Sequence, residues 1–176
     1  MRRPVFLACA AALAASGALA AAAAPPGVGT LSVEQGRGAI VLEIRGAVLG
    51  RLAQGTLRVT DLTPRDRFEP IVTGRRLLEE ELGPRTIVYR GQGLRFRMVG
   101  GGYRIVVRGA GISLSAVGRG QVVLDGEPRF PGDSVGVYSL QGVDCGEEEA
   151  LCTPLPEAPE RHVLGKPPES ARRGQP

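Results

Sequence analysis

Glycine punctuates this chain at a nearly constant interval, and the residues between the glycines alternate apolar with polar. From Leu94 to Asp125 the pattern is continuous. Leu94, Phe96 and Met98 alternate with Arg95 and Arg97, then Tyr103, Ile105 and Val107 with Arg104, Val106 and Arg108. Ile112, Leu114 and Ala116 follow, separated by Ser113 and Ser115, and Val122 and Leu124 close the series. A period of two is the signature of strands with one buried and one wet face. Gly100-Gly101-Gly102, Gly109-Ala110-Gly111 and Gly118-Arg119-Gly120 separate the runs. Glycine takes the positive φ of tight turns, so the stretch predicts four strands joined by hairpins, an antiparallel meander.

The same pattern occurs earlier. A shift of 65 positions pairs Leu31 with Phe96, Ile40 with Ile105, Leu42 with Val107, Gly46 with Gly111, Gly55 with Gly120 and Leu57 with Val122. Both copies end in D-x-x-P-R, at Asp61, Pro64 and Arg65 and at Asp125, Pro128 and Arg129, where the shift slips to 64. A one-residue bulge or turn change accounts for such a slip. We therefore expect an internal duplication, with copies at about residues 29–74 and 94–142 and an insert at 75–93. Within the insert, Arg75 to Leu82 is read as two helical turns stopped by Gly83-Pro84, with Leu77, Leu78 and Leu82 as a lid. Thr86 to Arg90 is read as an extra strand.

Short strands without βαβ alternation predict an all-β fold, internally duplicated antiparallel meanders forming a β-sandwich or closed barrel. A parallel β-solenoid is the alternative. An outer-membrane barrel needs longer strands and aromatic girdles, and three Tyr, four Phe and no Trp cannot supply the girdles.

The ends carry other information. Met1-Arg2-Arg3, the apolar run Val5 to Ala15, and Ser16-Gly17 before Ala18-Leu19-Ala20 read as a secretory signal peptide over residues 1–24. Ser16-Gly17 and Pro25-Pro26 leave that run too short for a transmembrane anchor, so no span is expected after cleavage. Residues 25–152 form the expected domain, and the Pro-rich stretch 153–176 is read as a disordered tail. The expected location is secreted, periplasmic or cell envelope. Of three cysteines, Cys9 leaves with the leader, and Cys145 and Cys152 in CGEEEALC are expected to form a disulfide.

Charge and histidine content restrict function. Removing Arg2 and Arg3 leaves 20 basic against 18 acidic side chains, a net charge of +2, which gives no support to nucleic-acid binding. The single histidine, His162, falls in the expected tail, so no Ser or Cys triad and no thiolate metal site can be assembled. No cofactor and no metal are expected.

Two constellations remain. Asp61, Asp66 and Glu69 in one loop and Asp125, Glu127 and Asp133 in another could hold Ca²⁺ or act as paired carboxylates if the loops converge. Ordinary turn chemistry explains them more simply. Arg95, Arg97, Arg104 and Arg108 should share the outward face of the hairpin over Gly100–Gly102, where they could grip the phosphates or carboxylates of an anionic envelope polymer. A solvated strand face that shields the edge from aggregation explains them more simply. The other copy has Thr30, Ser32, Ala39 and Glu43 at its outward positions. The sequence thus favours an exported, non-enzymatic bacterial envelope β-domain with a binding or structural role. Its rivals are a secreted hydrolase or Ca-dependent binding module using the loop carboxylates, and a self-assembling surface or matrix protein whose partner is itself.

Overall fold

The computed structural model describes residues 27–66 and 68–165. The expected signal peptide and the residues after 165 lie outside this range. Six strands form one sheet: β1 (Gly29–Asp61), β2 (Ile71–Glu81), β3 (Thr86–Gly126), β4 (Val137–Ser139), β5 (Thr153–Pro154) and β6 (Glu160–Leu164). Every pairing among the described residues is antiparallel. No α-helix forms among them, and Glu149–Leu151 makes a single 3-10 turn.

β1 and β3 run through their glycines without breaking into hairpins. A straight 33-residue strand would be roughly 110 Å long, so the pair must bend, and the register shows how. Ile40 pairs with both Val107 and Leu124, and Val107 pairs with both Ile40 and Leu57. Partners on the two sides of one residue thus stand 17 positions apart in sequence. Two strand spacings separate such partners by about 10 Å, whereas 17 extended residues would span roughly 56 Å. The spacing is 18 for β1 residues from Ala47 to Thr60, so the two-stranded ribbon completes one circuit every 17 or 18 residues, in two arms per circuit.

One arm carries, side by side, β1 29–34, β3 112–118, β1 47–52, β3 94–99 and β2 71–73, with β4 beyond the first. The other carries β3 120–126, β1 38–45, β3 102–109, β1 54–61, β3 86–91 and β2 78–81, with β6 on its outer edge. Alternate residues of both arms turn inward and join one core, including Leu31, Ile40, Leu42, Leu57, Phe96, Met98, Tyr103, Ile105, Val107 and Leu124.

Glycine is required where the ribbon turns from arm to arm. Gly55 has φ 147° and Gly109 φ 146°. A Cβ on Gly55 would stand 2.0 Å from the Arg108 carbonyl oxygen, and one on Gly109 2.0 Å from that of Gln54. Gly50 is needed for a different reason, because its missing side chain leaves room for the Phe96 ring, whose Cζ lies 2.3 Å from where a Cβ would be.

Several expectations change. The sheet path ends at β2 and β5, so no barrel closes, and the antiparallel pairing is not that of a parallel solenoid. Residues 94–99 do not pair with 103–108 as a hairpin; β1 and β2 flank the first, and two successive stretches of β1 the second. Arg75 to Leu82 is not helical: Arg75 to Glu81 belong to β2, an edge strand with a bulge at Arg76 (φ 52°), and Leu82 follows its end. Leu78 and Leu82 are exposed, and only Leu77 packs on the core, so no lid forms. Thr86 to Arg90 is a strand, the start of β3.

Residues 153–165 are not a disordered tail. Leu155 and Leu164 are buried, and β6 extends β3 with His162 opposite Val122. The His162 ring meets Tyr138 of β4 at 5.7 Å between centroids, joining the outer edges of the two arms. Cys145 and Cys152 form the expected disulfide, with Cα atoms 5.9 Å apart.

The corners give a direct test. Gly55→Ala is expected to lower the unfolding free energy by about 2–4 kcal/mol, since the added carbon meets fixed backbone. Gly93→Asn, at φ 59° with open space around it, is expected to cost less than about 1 kcal/mol, because Asn accepts the left-handed region. Urea unfolding of both variants checks this, and equal losses would contradict it.

Candidate functional site

The outward side of the first arm carries a groove of about 510 Å³. The register builds its floor from two rows that cross the strands. One runs Ser32, Ser115, Leu49, Arg97, Ile71, and the next Ser113, Arg51, Arg95, Thr73. Their side chains point outward because their neighbours Val33, Leu114, Phe96 and Leu52 point into the core.

Ser113 stands out within this floor. It is 8% exposed although it occupies an outward position, and its Oγ has no hydrogen-bond partner among the described residues. A buried hydroxyl without a partner loses its hydration and recovers nothing. Beside it, Arg51 Nη2 donates to Glu34 Oε1 at 2.8 Å, while Arg95 and Arg97 make no ion pair among the described residues. The floor thus combines two guanidinium groups suited to phosphate or carboxylate oxygens with an unsatisfied hydroxyl enclosed beneath the surface.

One lip of the groove is the disulfide loop. The Cys145 N–H donates to Ser32 Oγ at 3.0 Å and the Gly146 N–H to Asp144 Oδ1 at 2.9 Å, which fixes the loop against β1 with Asp144 at the groove. The opposite lip is Ile71 and Thr73 of β2.

The four arginines expected on one face are divided. Arg95 and Arg97 lie at the groove; Arg104 and Arg108 lie in the other arm, because the chain turns at Gly100–Gly102 from one arm to the other instead of forming a hairpin. There, Arg104 stands opposite Glu43, and Arg108 lines a cleft with Asp125 and Glu127. Neighbouring Arg90 is paired with Glu80. Acids balance the arginines of that arm, as on an ordinary solvated surface.

The carboxylates do not converge either. Asp61 and Glu69 line one cleft, Asp125 and Glu127 another. Asp61 pairs with Tyr103 and Asp125 with Ala39, three strands apart laterally and five residues along, roughly 20 Å. Asp133 sits in a separate turn closed by its own N–H to Phe130 O at 3.0 Å. No group of three potential metal ligands occurs among the described residues.

The loop after β1 is built from turn chemistry. Asp61 Oδ1 accepts the Thr63 N–H at 2.7 Å, the Thr63 hydroxyl donates to Asp66, and Asp66 Oδ1 accepts the Phe68 N–H at 3.2 Å. The Gly102 N–H donates to Thr63 Oγ1 at 2.7 Å, and the Tyr103 hydroxyl to Phe68 O at 2.8 Å, which anchors the loop to the corner of β3. His162 Nε2 lies 3.4 Å from Glu160 Oε1 without an aligned hydrogen bond, and it is far from the groove, on the edge strand β6.

Sequence reasoning named Arg95 and Arg97 but missed Ser113, Leu49, Ile71, Glu34 and Asp144. The alternation did mark Ser113 as outward. Its cross-strand neighbour Arg51 is 62 positions away, and no local pattern reveals that pairing.

Burial raises the pKa of all three tyrosines, aided by Glu79 at Tyr89, by Asp61, Asp66 and Glu69 at Tyr103, and by Glu160 at Tyr138. A pKa raised in the folded state leaves stability intact below the unfolded value of about 10 and removes it as pH rises through the folded pKa. Absorbance titration at 295 nm is therefore expected to show tyrosinate forming above pH ~10, together with alkaline unfolding, and Tyr103→Phe is expected to shift that unfolding upward. A tyrosine titrating near 10 in the folded chain would contradict this. Comparison with protein families, with characterised proteins and with solved structures gave no match to this chain.

Proposed function

We propose that the chain is an exported, non-enzymatic β-domain of the bacterial envelope that binds the phosphate or carboxylate groups of an anionic envelope component in the groove of its first arm. The observation that carries this reading is the pair Arg95 and Arg97 at the groove, which make no ion pair among the described residues, with the unpartnered Ser113 hydroxyl across Arg51 from Arg95. The leader-like N-terminus and the Cys145–Cys152 disulfide support export, since structural disulfides persist in oxidising compartments. The separation of the carboxylate loops removes support from a hydrolase or calcium module. Self-assembly has the open edge of β2 in its favour, but the bulge at Arg76 and the charges of Arg75 and Glu79 to Glu81 are devices that block edge pairing.

The same reading takes the wound ribbon as two packed layers that arose by duplication. The register supports it: shifting by 65 and exchanging partners turns Leu42–Val122 into Leu57–Val107, and Ile40–Leu124 into Val59–Ile105. Under this operation Asp61 matches Gly126, so the two D-x-x-P-R motifs do not occupy equivalent positions.

Co-sedimentation of residues 25–176 with isolated envelope fractions at low and high salt tests the function. Retention is expected to fall with salt, and the Arg95→Ser/Arg97→Ser variant to lose at least roughly tenfold, since hydrogen bonds to charged groups contribute about 1.5–3 kcal/mol each. Arg104→Ser/Arg108→Ser is expected to bind like the parent. Salt-independent retention, or equal losses in the two variants, would refute the reading.

A further inference from the structure

The groove continues without interruption into an apolar strip. Beyond the Ser115–Leu49–Arg97–Ile71 row, the next outward row along the same strands is Val117, Ala47, Val99. Ile71 is 58% exposed, Leu49 49%, Val99 43% and Val117 40%. Rows two residues apart lie about 7 Å apart, and adjacent strands about 4.8 Å, so these four aliphatic residues form one surface. The outward side of this arm is therefore amphipathic along its strands. Val99, Val117 and Leu49 occupy one end; Arg51, Arg95, Ser113 and Thr73 occupy the other.

A soluble anion would make no use of the aliphatic end, and exposed apolar surface gathered in one place marks a contact site. A sugar polymer would use an exposed aromatic ring to stack on. The aromatic residue lining the groove, Phe96, is buried at 3% exposure with its ring turned to the core, and the half-exposed Phe68 lies outside the groove, against Gly100 at the apolar end beside Val99. The arginine end favours negative charge, since Glu34 is occupied by Arg51 and Asp144 stands alone against Arg95 and Arg97.

Resting on the anion-binding reading above, we infer that the ligand of this surface is an anionic lipid in a bilayer. Its phosphate is held by Arg95 and Arg97, while Leu49, Ile71, Val99 and Val117 press into the boundary between headgroups and acyl chains. Guanidinium groups and aliphatic side chains on one face are the combination by which peripheral proteins bind such a surface.

Flotation with phosphatidylglycerol/phosphatidylcholine vesicles and with phosphatidylcholine vesicles, together with retention on immobilised polyphosphate, tests this inference. The parent chain is expected to float with the anionic vesicles and not with the neutral ones. Val99→Thr/Val117→Thr, two exposed positions outside the groove where threonine keeps the strand preference, is expected to weaken vesicle binding at least roughly fivefold and to leave polyphosphate retention unchanged. Arg95→Ser/Arg97→Ser is expected to weaken both by roughly tenfold or more. Polyphosphate retention without vesicle binding, or vesicle binding indifferent to the valine changes, would overturn the lipid assignment and leave the anion-binding reading standing. Loss of neither interaction in the arginine variant would overturn both.

Discussion

Close approach of backbone to backbone at the glycine corners is the constraint on which this structure depends. β1 and β3 together hold most of the sheet, and each must turn between arms while keeping its antiparallel partner. At Gly55 and Gly109 the neighbouring carbonyl oxygen occupies the space where a side chain would begin. Glycine here is the residue that lets a paired ribbon bend without losing its ladder. A hairpin would reverse the chain and pair it with itself; the corner carries it onward to a new neighbour.

Winding has consequences for both core and surface. Because a residue of β1 meets β3 segments 17 or 18 positions apart, every inward row mixes residues distant in sequence, as in Leu124, Ile40, Val107, Leu57 and Tyr89. The outward rows obey the same rule. Ser113, Arg51, Arg95 and Thr73 become neighbours through it, and so do Val117, Ala47 and Val99. The groove is thus a product of the winding, and so is the separation of Arg95 and Arg97 from Arg104 and Arg108.

What the sequence made legible follows from what is local. Alternation identified the inward residues of Leu94 to Asp125 correctly, since the side-chain period of a strand does not depend on its partner. The 65-residue shift is consistent with the pairing, and the cysteine spacing with the bridge. Partner choice was not legible. Gly100-Gly101-Gly102 is as compatible with a hairpin as with a corner, and only contacts with Met98, Val48 and Ala116 on one side and Tyr103, Ile44 and Gly120 on the other distinguish them. β2 was misread because Leu77, Leu78 and Glu79 to Glu81 favour helix intrinsically, and the edge of β3 overrides that preference. Proline content suggested a disordered tail, yet Leu155 and Leu164 are buried against the core that the earlier strands build.

The central claim is that the 102–109 segment of β3 is flanked on both sides by successive stretches of a single wound β1. Nuclear Overhauser contacts across the strands at Val107 test it most directly. Backbone contacts from Val107 to both Ile40 and Leu57, with none between the 94–99 and 103–108 segments of the kind a hairpin makes, are the expected result. Contacts from Val107 to a single β1 residue, accompanied by cross-strand contacts between 94–99 and 103–108, would contradict the wound arrangement.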